Sequence, residues 1–357
     1  MRSRRLVLLS IAAWLSPAAG HLLAQGRFVR LGTRDAYPSD ISADGRIVVG
    51  VRTNYGPAFR WTETEGVVNI GGSGFLARIS RDGKTIVSEA KDAQGLDSAA
   101  IWQGGTNWKT LGTFPGGVSS DKSLSTAWSV SGDGSVIVGL AWISVAIAHP
   151  FRWDAKNGMV DLGSLQGQSA RASIVSGDGH VIAGWDQDPY AYTHNSWRGA
   201  MWWQGMERLL NPYGWIGQAI GINYSGSVIV GTGHPAPITH AYRFTAWDGH
   251  VEDLGALERG ITEDQKKLED NSLASGVSDD GTVVVGTSGW RPPLDAVIWT
   301  PETKMVKLSD YLTSKGVTGF ERWLLVDAAA VTPDGKTITG LGINPEGLAE
   351  GYVVTLP

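Results

Sequence analysis

The chain has 357 residues, with 48 glycines, 16 tryptophans and no cysteine. Without cysteine there are no disulfides and no lipid-modified cysteine anchor, so the core must form by packing alone, which a chain of this length can do. Its 30 basic and 35 acidic residues give a net charge of −5. This balance argues against a nucleic-acid partner, which would require a basic surface.

The first 24 residues are predicted to be a signal peptide. Arg2, Arg4 and Arg5 precede a short apolar run, and small residues follow that run. The run is too short to span a bilayer, and no second long apolar stretch occurs in the sequence. We therefore expect a secreted protein, periplasmic or extracellular, with no membrane span. Residues 25–357 would form a single domain and a monomer, with a net charge of about −8 after loss of three basic residues.

The remainder of the chain repeats one sequence unit seven times. Each unit carries an apolar run, a small polar residue, an Asp-Gly turn or its relative, and a β-branched run that ends in glycine. The turns are Asp44-Gly45, Asp82-Gly83, Asp133-Gly134, Asp178-Gly179, Ser225-Gly226, Asp280-Gly281 and Asp334-Gly335. A unit repeated seven times along the chain predicts one supersecondary structure that gains a hydrophobic core only when its copies pack together.

Four short strands are predicted in each unit. The first is rich in small residues, as in 274–278, and the Asp-Gly pair after it predicts a two-residue hairpin. The second is a continuous apolar run such as 283–286, which is typical of a strand buried on both faces. The third follows the pattern Ala-x-x-Trp, as in 58–61 and, in the fourth unit, 200–203. The fourth alternates polar and apolar residues, as in 251–255, which indicates a half-exposed outer strand.

Seven units of four antiparallel strands predict an all-β fold, a seven-bladed β-propeller. The two ends of the chain support a closed ring. The seventh unit stops at 351–356 without its fourth strand, whereas the N-terminal segment 28–32 is a fourth strand without a unit. Pairing them would complete the last blade and remove exposed sheet edges. An open solenoid and a pair of sandwiches are the alternatives.

The third segment also resembles the repeat of the bacterial extracellular HAF-repeat proteins, named for a His-Ala-Phe run. The closest matches are His240-Ala241-Tyr242 and His149-Pro150-Phe151, each leading into Arg and an aromatic residue. The other units place Pro57, Ser98, Gly199, Asp295 and Glu350 at the histidine position. This resemblance implies a secreted repeat protein and no defined reaction.

Loop length predicts which face of the propeller carries the ligand site. Connections after the first and third strands are short, whereas those after the second and fourth strands vary widely, and function concentrates on variable loops held by a rigid scaffold. Aromatic side chains beside carboxylates suit a sugar ring. The candidate ligand-binding residues on this face are Trp142, Trp185, Asp186, Asp188, Tyr190, Tyr192, His194, Trp197, His240 and Trp290.

No motif specifies a reaction. His194, His234 and His240 lack a known ligand spacing, so we predict no metal and no cofactor. Asp186 and Asp188, with Glu258 or Asp264, would form an acid pair for glycoside cleavage only at a suitable separation. We therefore expect a non-catalytic protein that binds a glycan or a protein partner. The alternatives are a polysaccharide hydrolase or lyase on the same face, a structural cell-surface repeat protein, and a site inside the central channel.

Overall fold

Each sequence repeat forms one four-stranded antiparallel sheet, and seven such sheets surround a central axis in the computed structural model of this chain. The structure describes residues 26–53, 56–188, 197–211, 216–233, 239–258, 270–289 and 292–357. The predicted signal peptide lies outside these residues. The fold is all-β, a seven-bladed β-propeller, as the repeats predict.

The four strands of each blade are ordered from the axis outwards. The inner strands are β2 (Ala36–Ile41), β6 (Arg78–Ile79), β10 (Ser125–Val130), β14 (Ala170–Val175), β18 (Ile216–Ile222), β22 (Ser272–Val277) and β26 (Leu324–Val331). The second strands are β3 (Val48–Arg52), β7 (Ile86–Lys91), β11 (Ile137–Trp142), β15 (Val181–Gln187), β19 (Val228–Gly233), β23 (Val284–Ser288) and β27 (Thr337–Ile343). The third strands are β4 (Ala58–Thr62), β8 (Asp97–Gly104), β12 (Ala148–Asp154), β16 (Trp197–Trp203), β20 (Ala241–Thr245), β24 (Asp295–Thr300) and β28 (Ala349–Thr355). The outer strands are β5 (Gly66–Gly71), β9 (Asn107–Thr110), β13 (Gly158–Asp161), β17 (Met206–Leu209), β21 (Val251–Gly255), β25 (Lys304–Lys307) and β1 (Arg27–Arg34).

Blades 1 to 6 begin at β2, β6, β10, β14, β18 and β22, and blade 7 contains β26, β27, β28 and β1. In blade 7 the N-terminal strand β1 pairs antiparallel with β28, with Phe28 opposite Val354 and Arg30 opposite Tyr352. The predicted closure of the ring is therefore confirmed. It leaves no blade with a missing outer strand at the point where the chain ends meet.

The core lies between blades rather than within them. Seven buried apolar clusters among the described residues correspond to the seven blade junctions. Between blades 3 and 4, for example, Val138 packs with Ala172 and Trp202. Helix α1 (Leu308–Ser314) adds Leu308 and Leu312 to the cluster between blades 6 and 7. Each blade thus depends on its neighbours for burial, as expected for a repeat fold.

Glycine ends the apolar run of the repeat because a side chain at that position would clash with the inner strand. The inner strand carries a β-bulge, seen in blade 3 as a register shift between Ala127 and Ser129. A Cβ atom on Gly139 would lie 1.9 Å from the carbonyl oxygen of Thr126, so no side chain fits. The same approach, at 1.9 to 2.0 Å, occurs at Gly50, Gly184, Gly231, Gly286 and Gly340.

The Asp-Gly turns close four-residue connections, not the predicted two-residue hairpins. In blade 1 the N–H of Ser42 donates to the carbonyl of Ile47 at 2.9 Å, so residues 43–46 form the loop. The Asp44 carboxylate accepts the Ser42 hydroxyl at 2.6 Å and the Arg46 N–H at 3.1 Å. Gly45 has a φ of 72°, which explains the glycine. Ser42 and Asp44 therefore stabilise the longer loop, because the Asp44 side chain binds a backbone N–H that a two-residue turn would not contain.

Strand direction separates the connections onto two faces. We call the face with the Asp-Gly turns and the links from third to outer strands the turn face. The opposite face, with the connections after second and outer strands, is the long-loop face. Each inner strand begins on the long-loop face and ends on the turn face, so its first residues lie near the long-loop mouth of the channel.

Candidate functional site

The inner strands line a channel along the axis, and an ion pair crosses it near the turn face. The cavity of about 110 Å³ is lined by residues from all seven blades. Arg81 in blade 2 donates to both carboxylate oxygens of Asp279 in blade 6, at 2.7 and 2.5 Å. Its guanidinium carbon also lies 4.9 Å from the centre of the Tyr224 ring. Because blades 2 and 6 face each other across the ring, this pair crosses the axis, and a ligand would enter from the long-loop face.

A second arginine inside the channel, Arg78, lies near a buried carboxylate. Burial raises the pKa of Asp40, and the charge of Arg78 offsets part of that effect. The Asp40 carboxylate also accepts the backbone N–H of Ile79 at 3.0 Å and that of Ile41 at 2.9 Å. The middle of the channel therefore contains one cation and one hydrogen-bonded anion.

Arg171 differs from both of these arginines. It is the second residue of β14, near the long-loop mouth, and is 8% exposed. Its guanidinium carbon lies 3.6 Å from the centre of the Trp128 ring and 5.4 Å from that of Trp185. Its Nε donates to the Ser173 hydroxyl at 3.1 Å, and no carboxylate in the described ranges pairs with it. Burial, with a smaller effect from the like charge of Arg78, lowers the pKa of Arg171 to about 9.

Two aromatic rings, Trp128 and Trp185, lie beside Arg171, and each contacts one further ring. We call Phe75, Trp128, Trp185 and Trp197 the aromatic row. The ring centres of Phe75 and Trp128 are 5.8 Å apart. Trp185 and Trp197 are stacked, with centres 5.1 Å apart and planes inclined by 20°. Phe75 is 43% exposed although it contacts the more buried Trp128. The row extends from blade 2 to blade 4 and presents ring surface beside a buried cation.

Several hydrogen-bond donors around Arg171 have no acceptor in the part of the chain that the structure describes. The indole N–H groups of Trp128 and Trp185 are buried, and neither donates to any described atom. The Nη atoms of Arg171 make no hydrogen bond within the described part of the chain, since its described bond uses Nε. Buried donors that stay unsatisfied cost about 1 to 3 kcal/mol each, so they are uncommon without a reason. A ligand that carries several oxygen acceptors would satisfy them.

Three of the predicted site residues come together here. Trp185 and Trp197 stack on each other, and Asp188 accepts the Nε and Nη2 of Arg198 at 2.7 and 2.5 Å. Because Arg198 follows Trp197 in β16, this pair anchors the strand that carries the outer tryptophan. Trp185 is only 8% exposed, less than a loop aromatic would be, since it lies between Trp197 and Arg171.

Asp186 lies in a different environment, between blades 3 and 4. Its carboxylate has no exposed surface and accepts the Ser164 hydroxyl at 2.9 Å and the Gln166 N–H at 3.1 Å. The carboxylate of Glu207 accepts the adjacent N–H of Leu165 at 2.9 Å. Burial raises the pKa of Glu207, and the neighbouring Asp186 carboxylate raises it further. This is an acid pair, but the complete burial of Asp186 keeps it from contacting a substrate.

His240 binds within its own blade. Its Nδ1 lies 3.0 Å from Asp253 on the outer strand β21, and this partner raises the pKa of His240. The other histidine of the repeat makes the same contact, with Nδ1 of His149 2.9 Å from Asp161. The histidine of the His-Ala-Phe pattern therefore joins the third strand to the outer strand.

Two blades make this contact with the charges reversed. In blade 7 Glu350 pairs with Arg30 at 2.7 Å, and in blade 6 Asp295 pairs with Lys307 at 3.2 Å. Blade 4 departs from the sequence alignment. Trp202 pairs with Ile182 in the register that Trp153 has with Ile137 in blade 3. The histidine position of blade 4 is thus Arg198 and not Gly199, because the double Trp202-Trp203 shifts the apparent motif by one residue.

Of the remaining predicted residues, the structure describes Trp142. Trp142 lies at the end of β11, where its backbone N–H donates to the Leu124 carbonyl at 3.1 Å, and no ring contact within the described residues joins it to the row. Tyr190, Tyr192, His194 and Trp290 lie outside the described residues. In the described ranges, no group of three or more His, Asp or Glu side chains is placed to hold a metal ion. No described helix is both long and apolar enough to cross a bilayer.

Sequence reasoning missed Phe75, Trp128 and Arg171. The sequence did contain a signal for two of them. The first segment of most repeats consists of small residues, as in 274–278, whereas Trp128 and Arg171 are large residues in that segment. Their orientation was not readable, since Trp128 is the extra residue of the bulge in β10 and a bulge redirects its side chain.

Comparisons with solved structures support the fold. An oligogalacturonate lyase in complex with manganese superposes with a TM-score of 0.58 at 13% identity, covering 92% of this chain and 93% of that chain. The β-propeller domain of the Trilobed protease from Pyrococcus furiosus gives 0.56 at 12% identity, covering 90% and 95%. An oligogalacturonate lyase from Vibrio parahaemolyticus gives 0.55 at 12% identity, covering 92% and 93%. No protein-family model and no curated protein sequence matches the chain. At these identities the likeness establishes the propeller alone.

Proposed function

We propose that this chain is an exported HAF-repeat propeller that binds a glycan through the aromatic row on its long-loop face, without catalysing a reaction. The observation that carries the proposal is the juxtaposition of Phe75, Trp128, Trp185 and Trp197 with buried indole N–H groups that have no acceptor among the described residues. A sugar ring offers an apolar face for the rings and oxygen atoms for the donors.

The solved propellers with similar folds leave binding and catalysis open. Two of them are named as oligogalacturonate lyases, but one fold supports many functions, and identities of 12 to 13% do not transfer a reaction. An acid-base mechanism at the row would require accessible carboxyl groups beside it. The described acid pair, Asp186 and Glu207, lies between blades 3 and 4, where Asp186 is fully buried. Because that carboxylate is not accessible to a sugar, the arrangement favours binding over hydrolysis.

The test is a glycan-array screen of residues 25–357, followed by titration of each hit. Phe75→Ala and Trp197→Ala remove rings of the row that are not fully buried, so each should weaken binding about tenfold, the loss of one stacking contact of about 1 to 1.5 kcal/mol. Trp185 is a poorer probe because its burial couples binding to stability.

Trp247→Ala is the matched control. Trp247 is 55% exposed and contacts another tryptophan, Trp203, with ring centres 5.5 Å apart. It lies in the link from the third to the outer strand of blade 5, on the turn face, so the control should bind the glycan as the unaltered protein does. Equal losses in the control and in the row variants would refute the assignment to the long-loop face. Binding to no glycan at all would turn the search towards a protein partner.

A further inference from the structure

Arg171 is a largely buried cation with no opposite charge beside it among the described residues. Its side chain is 8% exposed, and the charge acting on it from the described residues is that of another arginine, Arg78. Removing a charge from water is expensive unless an opposite charge or a full set of hydrogen bonds replaces the water. The two tryptophans beside Arg171 supply ring surface, and Ser173 accepts one of its five N–H groups.

The other two arginines of the channel have different partners. Arg81 makes a two-point contact with Asp279. Arg78 donates to the Ser39 carbonyl at 2.7 Å and feels the charge of Asp40. Within the described ranges Arg171 has no acidic partner, and it differs from both in lying against two tryptophan rings.

The geometry of Arg171 also selects what can approach it. Its guanidinium carbon is 3.6 Å from the centre of the Trp128 ring, which covers one face of the group. The Nη donors lie in the plane of the guanidinium and point outwards from its edge. A planar carboxylate matches that edge with two parallel hydrogen bonds. A hydroxyl group matches only one of them.

We propose that Arg171 is the carboxylate-recognition residue of the aromatic row, so that its ligand is an acidic glycan built from uronic-acid units. This inference rests on the proposed glycan binding and adds the chemical class of the sugar. The rings hold the sugar face, and the Nη groups at the edge of Arg171 donate two hydrogen bonds to the carboxylate. Since the chain as a whole carries a net charge of −5, a general attraction of anions does not explain such binding.

The experiment compares three forms of each oligosaccharide: the free uronic acid, its methyl ester, and the neutral sugar of the same length and linkage. An array carries the series, and isothermal titration measures the hits. Unaltered protein should bind the free acid at least about tenfold more tightly than the ester, because esterification removes the charge and one acceptor of the two-point contact. The preference should change little between low and moderate salt, since a buried pair is weakly screened.

Two variants assign the preference to Arg171. Arg171→Met should weaken binding of the free acid about 30- to 100-fold and leave the ester and the neutral sugar nearly unchanged. Arg171→Lys keeps the charge but loses the fork, so an intermediate loss is expected. The melting temperature of Arg171→Met should be maintained or raised, because the substitution removes an uncompensated buried charge. A purely structural arginine would show the opposite, a lowered melting temperature with equal losses for all three sugars.

Each outcome decides between the two proposals. Equal binding of acid, ester and neutral sugar, or an acid preference that survives in Arg171→Met, would overturn the carboxylate assignment and leave glycan binding intact. Binding to no sugar of any form would overturn the proposed function and this inference with it.

Discussion

The two ends of the channel each contain an arginine beside an aromatic ring, and the two arginines have opposite surroundings. At the turn face Arg81 bridges to Asp279 across the ring and lies over Tyr224. At the long-loop mouth Arg171 lies over Trp128 and, within the described residues, makes one hydrogen bond, to Ser173. The first arginine has a carboxylate partner within the chain. The second has none among the described residues, and on our proposal this difference separates a structural arginine from a recognition residue.

The largest expected effect comes from Gly184→Ala, which would displace the strand that carries Arg171. A Cβ atom there would lie 1.9 Å from the Arg171 carbonyl oxygen, so β14 must move. We expect a loss of about 3 kcal/mol or more in the free energy of unfolding, together with loss of any acid preference. Denaturant unfolding and glycan titration measure the two effects.

Gly286→Ala is the matched control for that substitution. Its Cβ would meet the Leu273 carbonyl oxygen at the same 1.9 Å, in blade 6, which carries no residue of the row. It should lose comparable stability and keep the acid preference. If both variants lose the preference alike, the effect of Gly184→Ala is global and says nothing about Arg171.

Arg81→Met should be the next largest change in stability. It leaves Asp279 with the Tyr224 N–H as its described partner and opens the turn-face end of the channel. Because the pair is partly exposed, we expect a loss of about 2 kcal/mol rather than the larger cost of a fully buried pair. A double-mutant cycle with Asp279→Asn, followed by thermal unfolding, measures the coupling. Additive effects of the two substitutions would contradict a direct pair.

Glu207→Gln tests whether any uncompensated buried group marks a ligand site. Burial, with Asp186 nearby, raises the pKa of Glu207 from 4.5 to about 8. Below pH 4.5 the Glu207 carboxyl is protonated in both the folded and the unfolded state, so it does not lower the free energy of unfolding. That free energy falls as the pH rises through about 8, because the unfolded state loses this proton more readily. The glutamine variant should match the unaltered protein near pH 4.5 and exceed it by about 1 to 2 kcal/mol at pH 8.5, a value reduced for partial exposure. Melting temperatures across this range, and unchanged glycan binding, are the readouts.

The smallest effect is expected for His240→Gln. Its contact with Asp253 raises the pKa of the imidazole, so its stabilisation is fully present below pH 6.5 and fades as the pH rises through the folded value. The loss should stay below about 1 kcal/mol, because the pair is partly exposed. Thermal unfolding at pH 5.5 and 8.5 checks the direction, and a larger loss at the higher pH would contradict it. Glycan binding should not change.

The fold was predictable because its determinants are local and repeated. The Asp-Gly turns, the apolar runs and the outer-strand segment at 28–32 were enough to predict seven blades and the closure of β1 on β28. The exact length of the turns could not be predicted, because the four-residue turn depends on the hydrogen bonds of Ser42 and Asp44. In blade 4 two consecutive tryptophans, Trp202 and Trp203, concealed a shift of one residue.

The candidate site was predictable in part. Loop lengths indicated the correct strand ends for Trp185, Trp197 and Asp188, which do lie together. They did not indicate Trp128 or Arg171, because both residues lie on inner strands, where Trp128 is the extra residue of a bulge, and loop length says nothing about inner strands. His240 shows the reverse case, since a residue type often used in sites here binds Asp253 within its own blade.

The most direct measurement titrates one acidic glycan from the array into Arg171→Met and Arg81→Met side by side, with the melting temperature of each variant recorded. We predict that Arg171→Met loses the affinity and keeps its melting temperature. Arg81→Met should keep the affinity and lose several degrees. If Arg171→Met binds the acid as tightly as the unaltered protein, or if Arg81→Met is the variant that loses binding, the assignment of the two arginines is wrong.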